Sequence, residues 1–458
     1  MKVIVCGAGL VGASIAQQLA SENHDVTVVD VDSEVLRRVG ESMDVQTIGG
    51  HASQPDVLES AGATDADMII AVTQGDEINM VACQVAHSLF KVPTRIARVR
   101  AQSYLQPEWA DLFSRDHMPI DVIISPEIEV ARAVSRRLHV PGASDMISFG
   151  DDRVRVVAVL IDEDTPLIDT PLRQLTELFP EMSIRILGIL RGDEIIVPSS
   201  DDQMLDGDEV YFAVDSSHLT RAMAAFGHEE PEARRIVIIG GGNIGLFLAK
   251  QLGTDHPNVA LKIIEVNKER AEFVAEQLDG VVVLCGDALD AEILNEANVR
   301  TAEAVIAVTN DDQINILSSL LAKRDGSKRA MTLVNNASYG ALMRSLGVDA
   351  VVNPRAITVS RILQHIRRGR IRAVHSLREG KAEIIEAEAL EASPLVGTAI
   401  RDLKLPHGVI AGAIVRGDEV IIPRGATVVK AHDKVILFAT KSVLKKVEKL
   451  FAVRLEFF

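Results

Sequence analysis

The chain has 458 residues, 47% hydrophobic but only 3% aromatic, with a formal net charge of −17. The length has room for about three domains, and a core built from Val, Ile, Leu and Ala suits parallel strands covered by helices on both faces. The acidic balance removes the basic footprint of a generic nucleic-acid binder and opposes adsorption on anionic lipid. No apolar run approaches the roughly 18 residues of a membrane span, and three cysteines (Cys6, Cys83, Cys285) without paired or metal-like spacing fit a reduced, cytosolic setting.

The first strand, KVIVC, runs into G-x-G-x-x-G at Gly7, Gly9 and Gly12, which opens a helix over Leu10–Ala20. Gly7 permits the tight turn, Gly9 lets the backbone approach a pyrophosphate, and Gly12 lets the helix pack on the strand. The loop residues Ala8, Leu10 and Val11 lie where unpaired N–H groups face the phosphates. The second strand, DVTVV, ends at Asp30, 18 residues after Gly12. A carboxylate there accepts both ribose hydroxyls and repels a 2′-phosphate, favouring NAD over NADP. ATP and ADP share the same adenosine and pyrophosphate contacts and stay open as ligands.

Further along come a helix over Ser33–Glu41, the strand DVQTI, and IGGHA with His51. Then follow DMIIAV, a helix over Asp76–Phe90, and RIARV. Thr73 and Gln74 follow the fourth strand, where strand ends face the ligand crevice, although a threonine there also suits a helix cap. Alternation puts Arg98 and Arg100 on one face of the fifth strand, either as an exposed edge or as phosphate contacts. Strand alternating with helix implies a doubly wound parallel sheet. The next segment has short β runs, VRVVAVLI, ILRGDEIIVP and DGDEVYFAV, and closes on a helix-like stretch, His218–Phe226, as a small α+β module does.

After the polar stretch GHEEPEARR the pattern starts again. GGGNIG carries Gly240, Gly241, Gly242, Asn243, Ile244 and Gly245, with Glu265, Asp287 and Thr309 at the later positions. Gly50/Gly286, Thr73/Thr309 and Asn79/Asn315 are each 236 residues apart. ILRGDEIIVP returns as IVRGDEVIIP, and Ser442–Leu450 closes the chain as His218–Phe226 closes the first half. Both RGD triplets sit between apolar β runs, where Gly-Asp is hairpin-turn chemistry and not an adhesion signal. The basic stretch Arg361–Arg372 reads as a solvated helix face or a docking face. His24, His51, His87, His117 and His139 form no catalytic set, and His51 is answered by Asp287, so no shared acid–base role survives the duplication. A soluble NAD-dependent oxidoreductase, the alternative reading, would need substrate machinery that is not visible.

Two G-x-G-x-x-G segments, each with an acid ending the second strand, G-[DH]-A and AVT, and each followed by an RGDE-turn module, resemble the tandem RCK (regulator of K⁺ conductance) family. The resemblance implies an α/β fold: two Rossmann-like doubly wound parallel sheets, each followed by a small α+β C-terminal module. The expected division is 1–125, 126–230, 231–355 and 356–458, with crossover helices from Ile128 and Ile357 through which modules pair. It implies a regulator and not an enzyme: a cytoplasmic ring, peripheral on the inner face of the membrane. The ring would be a homotetramer docked on a membrane-embedded potassium-translocating subunit, and would read NAD(H) and ATP or ADP. By position, Gly7, Gly9, Gly12, Asp30, Thr73 and Arg98 line a first site, and Gly240, Gly242, Gly245, Glu265, Asp287 and Thr309 a second. Arg100 falls near a phosphate tail. No metal is expected.

Overall fold

The computed structural model describes residues 1–451 apart from 115, 179–183, 193, 257, 337–338, 340–341, 344–345, 367–370, 378–379 and 404. Two compact units form: Met1–Glu129 with Pro354–Ile366, and Val130–Asn353 with Arg367–Phe458.

The first unit holds strands β1 (Lys2–Cys6), β2 (Asp25–Asp30), β3 (Gln46–Gly49), β4 (Met68–Ala71), β5 (Thr94–Arg98) and β6 (Val122–Ile124). All pair in parallel, in the order β3-β2-β1-β4-β5-β6. Because successive strand residues face opposite sides, β1 sends Val3 and Val5 into one core and Ile4 and Cys6 into the other. The Val3 face is covered by α1 (Leu10–Ser21) and α2 (Ser33–Ser42), the Ile4 face by α3 (Pro55–Ser60) and α4 (Asp76–Ser88). Helix Pro354–Ile366, which follows the second glycine-loop segment in sequence, packs on α1 and buries Ile362 and Leu363 in the Val3 core. This is the stretch that begins at Ile357 in the sequence reading. The basic segment Arg361–Arg372 is therefore partly a core-facing helix, and its residues 367–370 lie outside the described ones. Two short elements were not anticipated, β6 and α3. Since β6 lies beyond β5, RIARV is an interior strand and its exposed-edge reading falls.

The second unit begins in α5 (Pro126–Leu138), whose end meets the second Rossmann-like sheet: Arg137 Nη1 donates to Val351 O and Arg329 Nη2 to Leu138 O, both at 3.4 Å. There follow β7 (Ala143–Phe149), β8 (Val154–Leu160), α6 (Leu172–Leu178), β9 (Ile184–Arg191), β10 (Glu194–Ile196), β11 (Glu209–Asp215) and α7 (Leu219–Ala225), with an antiparallel sheet ordered β10-β9-β11-β8-β7. The second Rossmann-like segment has β12 (Arg235–Ile239), α8 (Asn243–Asp255), β13 (Ala260–Glu265), α9 (Lys268–Glu276), β14 (Val282–Cys285), α10 (Ala291–Glu296), β15 (Ala304–Ala307), α11 (Asp312–Asp325), β16 (Ala330–Leu333) and β17 (Ala350–Val352). Its order, β14-β13-β12-β15-β16-β17, is that of the first. Last come β18 (Ile371–Leu377), β19 (Ala382–Glu388), β20 (Val409–Arg416), β21 (Glu419–Ile421), β22 (Lys434–Thr440) and helix Leu444–Phe451.

The two antiparallel sheets share one core, in which Phe149, Val156 and Leu187 meet Ile384, Ile410 and Phe438. Close approach depends on two glycines. A Cβ on Gly188 would lie 2.9 Å from Phe438, and one on Gly412 would lie 2.6 Å from Leu187. In both RGD hairpins the strand arginine pairs with the following glutamate, Arg191 with Glu194 and Arg416 with Glu419, and the glycine takes a positive φ. The turn reading holds for Arg416-Gly417-Asp418; in the first copy Asp193 lies outside the described residues.

Candidate functional site

The glycine loop sits at the carboxyl ends of β1 and β4, where the strand order reverses and open α/β sheets place their ligands. A Cβ on Gly7, whose φ is +105°, would meet Thr73 N at 3.0 Å, and one on Gly12 would meet Gly7 O at 1.8 Å. These two glycines are needed for the loop to close on itself. Gly9 is different: a Cβ there would meet nothing within 4 Å, so its backbone faces open space at the amino end of α1. Ala8 is buried, Leu10 is exposed, and Val11 is half-buried against the Val3 core.

Asp30 braces this loop. Its Oδ2 accepts from Ala8 N at 2.6 Å and its Oδ1 from Asp32 N at 3.0 Å. Glu265 does the same in the second copy, accepting from Gly241 N at 2.7 Å and Asn267 N at 2.9 Å. The longer side chain keeps the geometry. Gly240 (φ +105°), Gly242 (open space) and Gly245 (a Cβ 2.0 Å from Gly240 O) repeat the roles of the first three glycines, and Asn243 and Ile244 open α8. Each carboxylate retains lone pairs for ribose hydroxyls.

Thr73 and Thr309 are not helix caps. Helix α4 is capped at Gly75 and α11 at Asp311. Each threonine is instead held by a buried asparagine: Asn79 Oδ1 accepts from Thr73 N at 2.8 Å and Thr73 Oγ1 at 2.7 Å, and Asn315 Oδ1 from Thr309 N and Oγ1 at the same distances. The asparagine amides reach on to the next strand, at Arg98 O (2.9 Å) and Leu333 O (3.0 Å). A fully buried amide with all its partners fixes the end of one strand against the next. The recurrence of Asn79 and Asn315 was visible in sequence, but this role was not. Gln74 is exposed.

At the end of β5 the two copies diverge. Arg98 Nη2 donates to Thr73 O at 2.6 Å, while its buried Nε has no partner. Arg100 is turned to Glu127, with Nε 2.7 Å from Oε1. Burial first, then the like charge of Arg100, pulls the Arg98 guanidinium below its ordinary pKa. Asp76 Oδ1 and Glu127 Oε2 nearby are also buried without a partner. Orphaned buried polar atoms of this kind point to a ligand or bound water, and an unpaired guanidinium nitrogen suits a phosphate oxygen. By strand register Leu333 and Asn335 stand where the first copy has Arg98 and Arg100. The second copy instead lays Arg270 on its glycine loop, Nε to Gly241 O at 2.8 Å and Nη2 to Asn243 Oδ1 at 3.3 Å. Sequence reading had no signal for Arg270, because its first-copy counterpart is Val35.

Val31 and Val266, directly after the two acids, are 69% and 70% exposed. Apolar side chains left in solvent beside each of these carboxylates offer an apolar surface to a planar ring. Of the remaining positions, His51 is half-buried with Nδ1 2.8 Å from Ser53 Oγ, and Asp287 is exposed and accepts from Leu289 N at 2.9 Å. Cys6 is buried in the sheet, which pushes its thiol up to about 12, so it is no nucleophile. Among the described residues no helix is long and apolar enough to cross a membrane.

Residues 3–126 and 236–354 match the TrkA-N domain family, and residues 156–227 and 384–452 the TrkA-C domain family. The chain is 54% identical to the Trk system potassium uptake protein TrkA of Azorhizobium caulinodans and 44% identical to that of Halomonas elongata, covering 100% of both chains in each case. It is 36% identical to the Trk system potassium uptake protein TrkA homolog 2 of Methanosarcina mazei over 98% of this chain and 100% of that one. Among solved structures it is similar to the GsuK RCK domain (TM-score 0.61, 20% identity, 99% of this chain and 95% of that one). It is likewise similar to a GsuK channel bound to NAD (TM-score 0.61, 19% identity, 99% and 79%).

Proposed function

The chain belongs to the TrkA family of Trk-system potassium uptake proteins, a family of transport subunits and not of enzymes, and from that premise we propose that it is a nucleotide-binding gating-ring subunit. It would couple NAD(H) and ATP or ADP to potassium flux through a TrkH-type membrane subunit. The observation that carries this reading is the glycine loop built twice with the same brace, Asp30 to Ala8 N at 2.6 Å and Glu265 to Gly241 N at 2.7 Å, each with open space over its second glycine.

In the first site Gly7, Gly9, Gly12 and the N–H groups of Leu10 and Val11 cradle a pyrophosphate, while the Ala8 N–H is held by Asp30. Asp30 takes the ribose, Thr73 and Gln74 close the crevice, and Arg98 with Arg100 supplies positive charge. In the second, Gly240 to Gly245 and Glu265 repeat the cradle, Asp287 and Thr309 flank it, and Arg270 replaces the two arginines. In the first site the buried Arg98 Nε has no partner and suits a phosphate oxygen, whereas Arg100 is already paired with Glu127. NAD is the ligand of a structural relative, the GsuK channel bound to NAD, and it fits the carboxylate that disfavours a 2′-phosphate. The four-segment division (1–125, 126–230, 231–355, 356–458), a homotetramer, and a cytoplasmic position on the inner membrane face through the partner complete the reading. Nucleotides act by binding one ring geometry better than another, and differential affinity bounds the effect.

Calorimetric titration of the full chain with NAD, NADH, ATP and ADP tests it, repeated for Asp30→Ala and Glu265→Ala. Two classes of site are expected, each substitution removing one. In proteoliposomes with the membrane subunit, the same nucleotides should change potassium flux about 5- to 150-fold, the span of a coupling of roughly 1–3 kcal/mol. Flux indifferent to saturating nucleotide removes the regulator reading, and sustained absorbance change at the nicotinamide band with small hydroxy or amino acids restores the oxidoreductase.

A further inference from the structure

Outside the nucleotide crevices, three side chains that can ligate a metal converge within the second unit. His139 directly follows α5, Glu232 lies in the segment before β12, and His256 caps the carboxyl end of α8. One ligand atom from each lies within 4.8 Å of the other two. His139 and His256 bring their Nε2 atoms within 3.1 Å, the rings lying partly over one another with centroids 4.1 Å apart and planes inclined at 35°. Glu232 Oε2 is 4.0 Å from His139 Nδ1, and Ser135 Oγ is 3.4 Å from His139 Nε2.

We propose that His139, His256 and Glu232 form a binding site for a divalent transition-metal ion of the Zn²⁺ type, joining the end of α5, the inter-repeat segment and the end of α8. Two imidazoles and a carboxylate are a borderline-soft donor set that prefers Zn²⁺ and its neighbours over Mg²⁺ or Ca²⁺. Metal–nitrogen bonds of about 2.0–2.1 Å set tetrahedral ligand atoms roughly 3.3–3.4 Å apart. The 3.1 Å Nε2 pair is close to that spacing; Glu232 lies nearer the other nitrogen of His139, Nδ1, and its side chain, 58% exposed, must turn to reach the same ion. Without a metal the pair can share only one hydrogen bond between its two nitrogens. Three protein ligands leave a fourth position for water. The site is independent of the nucleotide reading, since its residues lie outside both glycine loops.

The test is titration of metal-stripped full-length chain with Zn²⁺ by calorimetry, and with Co²⁺ by visible absorption, alongside thermal unfolding. The wild type should take up one ion per chain, show the d–d bands of low-coordinate Co²⁺, and gain Tm with added Zn²⁺. His139→Ala and His256→Ala should weaken binding at least ten-fold and abolish both the bands and the Tm gain. His256→Gln serves if the alanine variant unfolds. Glu232→Gln should weaken binding less. His117→Ala, an exposed histidine elsewhere, should bind like the wild type. Absence of binding by the wild type, or binding unchanged in His256→Ala and His256→Gln, overturns the site and leaves a packed histidine pair.

Discussion

A half-buried guanidinium at a strand end can be holding the fold, waiting for a ligand, or both. Arg98 has the first role in its Nη2 bond to Thr73 O (2.6 Å) and the mark of the second in a buried Nε without a partner. Charge-assisted hydrogen bonds contribute about 1.5–3 kcal/mol, so Arg98→Ala should raise the first-site Kd for NAD and ADP by about 10- to 100-fold. Adenosine, which has no phosphate, should move less than two-fold in the same titration. Equal losses for all three would reduce Arg98 to a brace for Thr73. At this scale the glycines and the two acids were legible, because a fingerprint encodes local backbone geometry directly. Asn79 was legible only as a recurrence. Its meaning depends on the first turn of α4 lying against the end of β5, a tertiary fact. Val31 and Arg270 carried no signal, because exposure and orientation decide their value.

At the scale of elements, the two RGD hairpins show how a motif with an outside meaning serves the fold. Arg191 makes a two-pronged bond to Asp208 (2.9 and 2.8 Å), and Arg416 to Asp433 at the same distances. Both carboxylates are buried, and each also accepts from a backbone N–H, Leu205 N or Lys430 N. The arginine therefore ties the hairpin to the turn that precedes the next strand. Removing one partner of such a pair strands a charge, and the loss is larger than the pair's net contribution. Arg416→Ala should cost about 3 kcal/mol in chemical denaturation, and Arg416→Lys, which cannot make the fork, a good part of that. The double change Arg416→Ala with Asp433→Ala should cost less than the sum of the two singles. A single-variant loss below about 1 kcal/mol would show that the fork contributes little. The hairpins themselves were readable from apolar alternation around Gly-Asp. The helices over Leu10–Ser21 and Ser33–Ser42 came within a residue or so of expectation, whereas three-residue β6 and six-residue α3 are too short for periodicity to register.

For the whole molecule, duplication was plain in sequence and crossover helices from Ile128 and Ile357 were expected from the family resemblance, but which sheet each helix would cover was not. Helix Pro354–Ile366 follows the second Rossmann-like sheet yet completes the core of the first, burying Ile362 and Leu363 against α1. The end of α5, which follows the first sheet, meets β17 of the second through Arg137 and Val351 O. Both helices carry apolar faces of the same kind, so pattern alone could not say which sheet each would cover. The exchange has an energetic consequence that local contacts would not produce. Truncating a buried leucine to alanine costs about 2–5 kcal/mol, and here the cost should appear more than 300 residues away in sequence. In Leu363→Ala, hydrogen exchange should accelerate in α1, around Ile15 and Leu19, and along β1, while β12 and α8 of the second sheet keep their protection. Acceleration confined to residues near 363, or spread evenly over both sheets, would contradict the exchange. If it holds, nucleotide bound at the amino end of α1 and the helix packed on α1 share one stability. Binding that tightens the first glycine loop then also steadies Pro354–Ile366, which is how a ligand at one end of α1 reaches a helix far away in sequence.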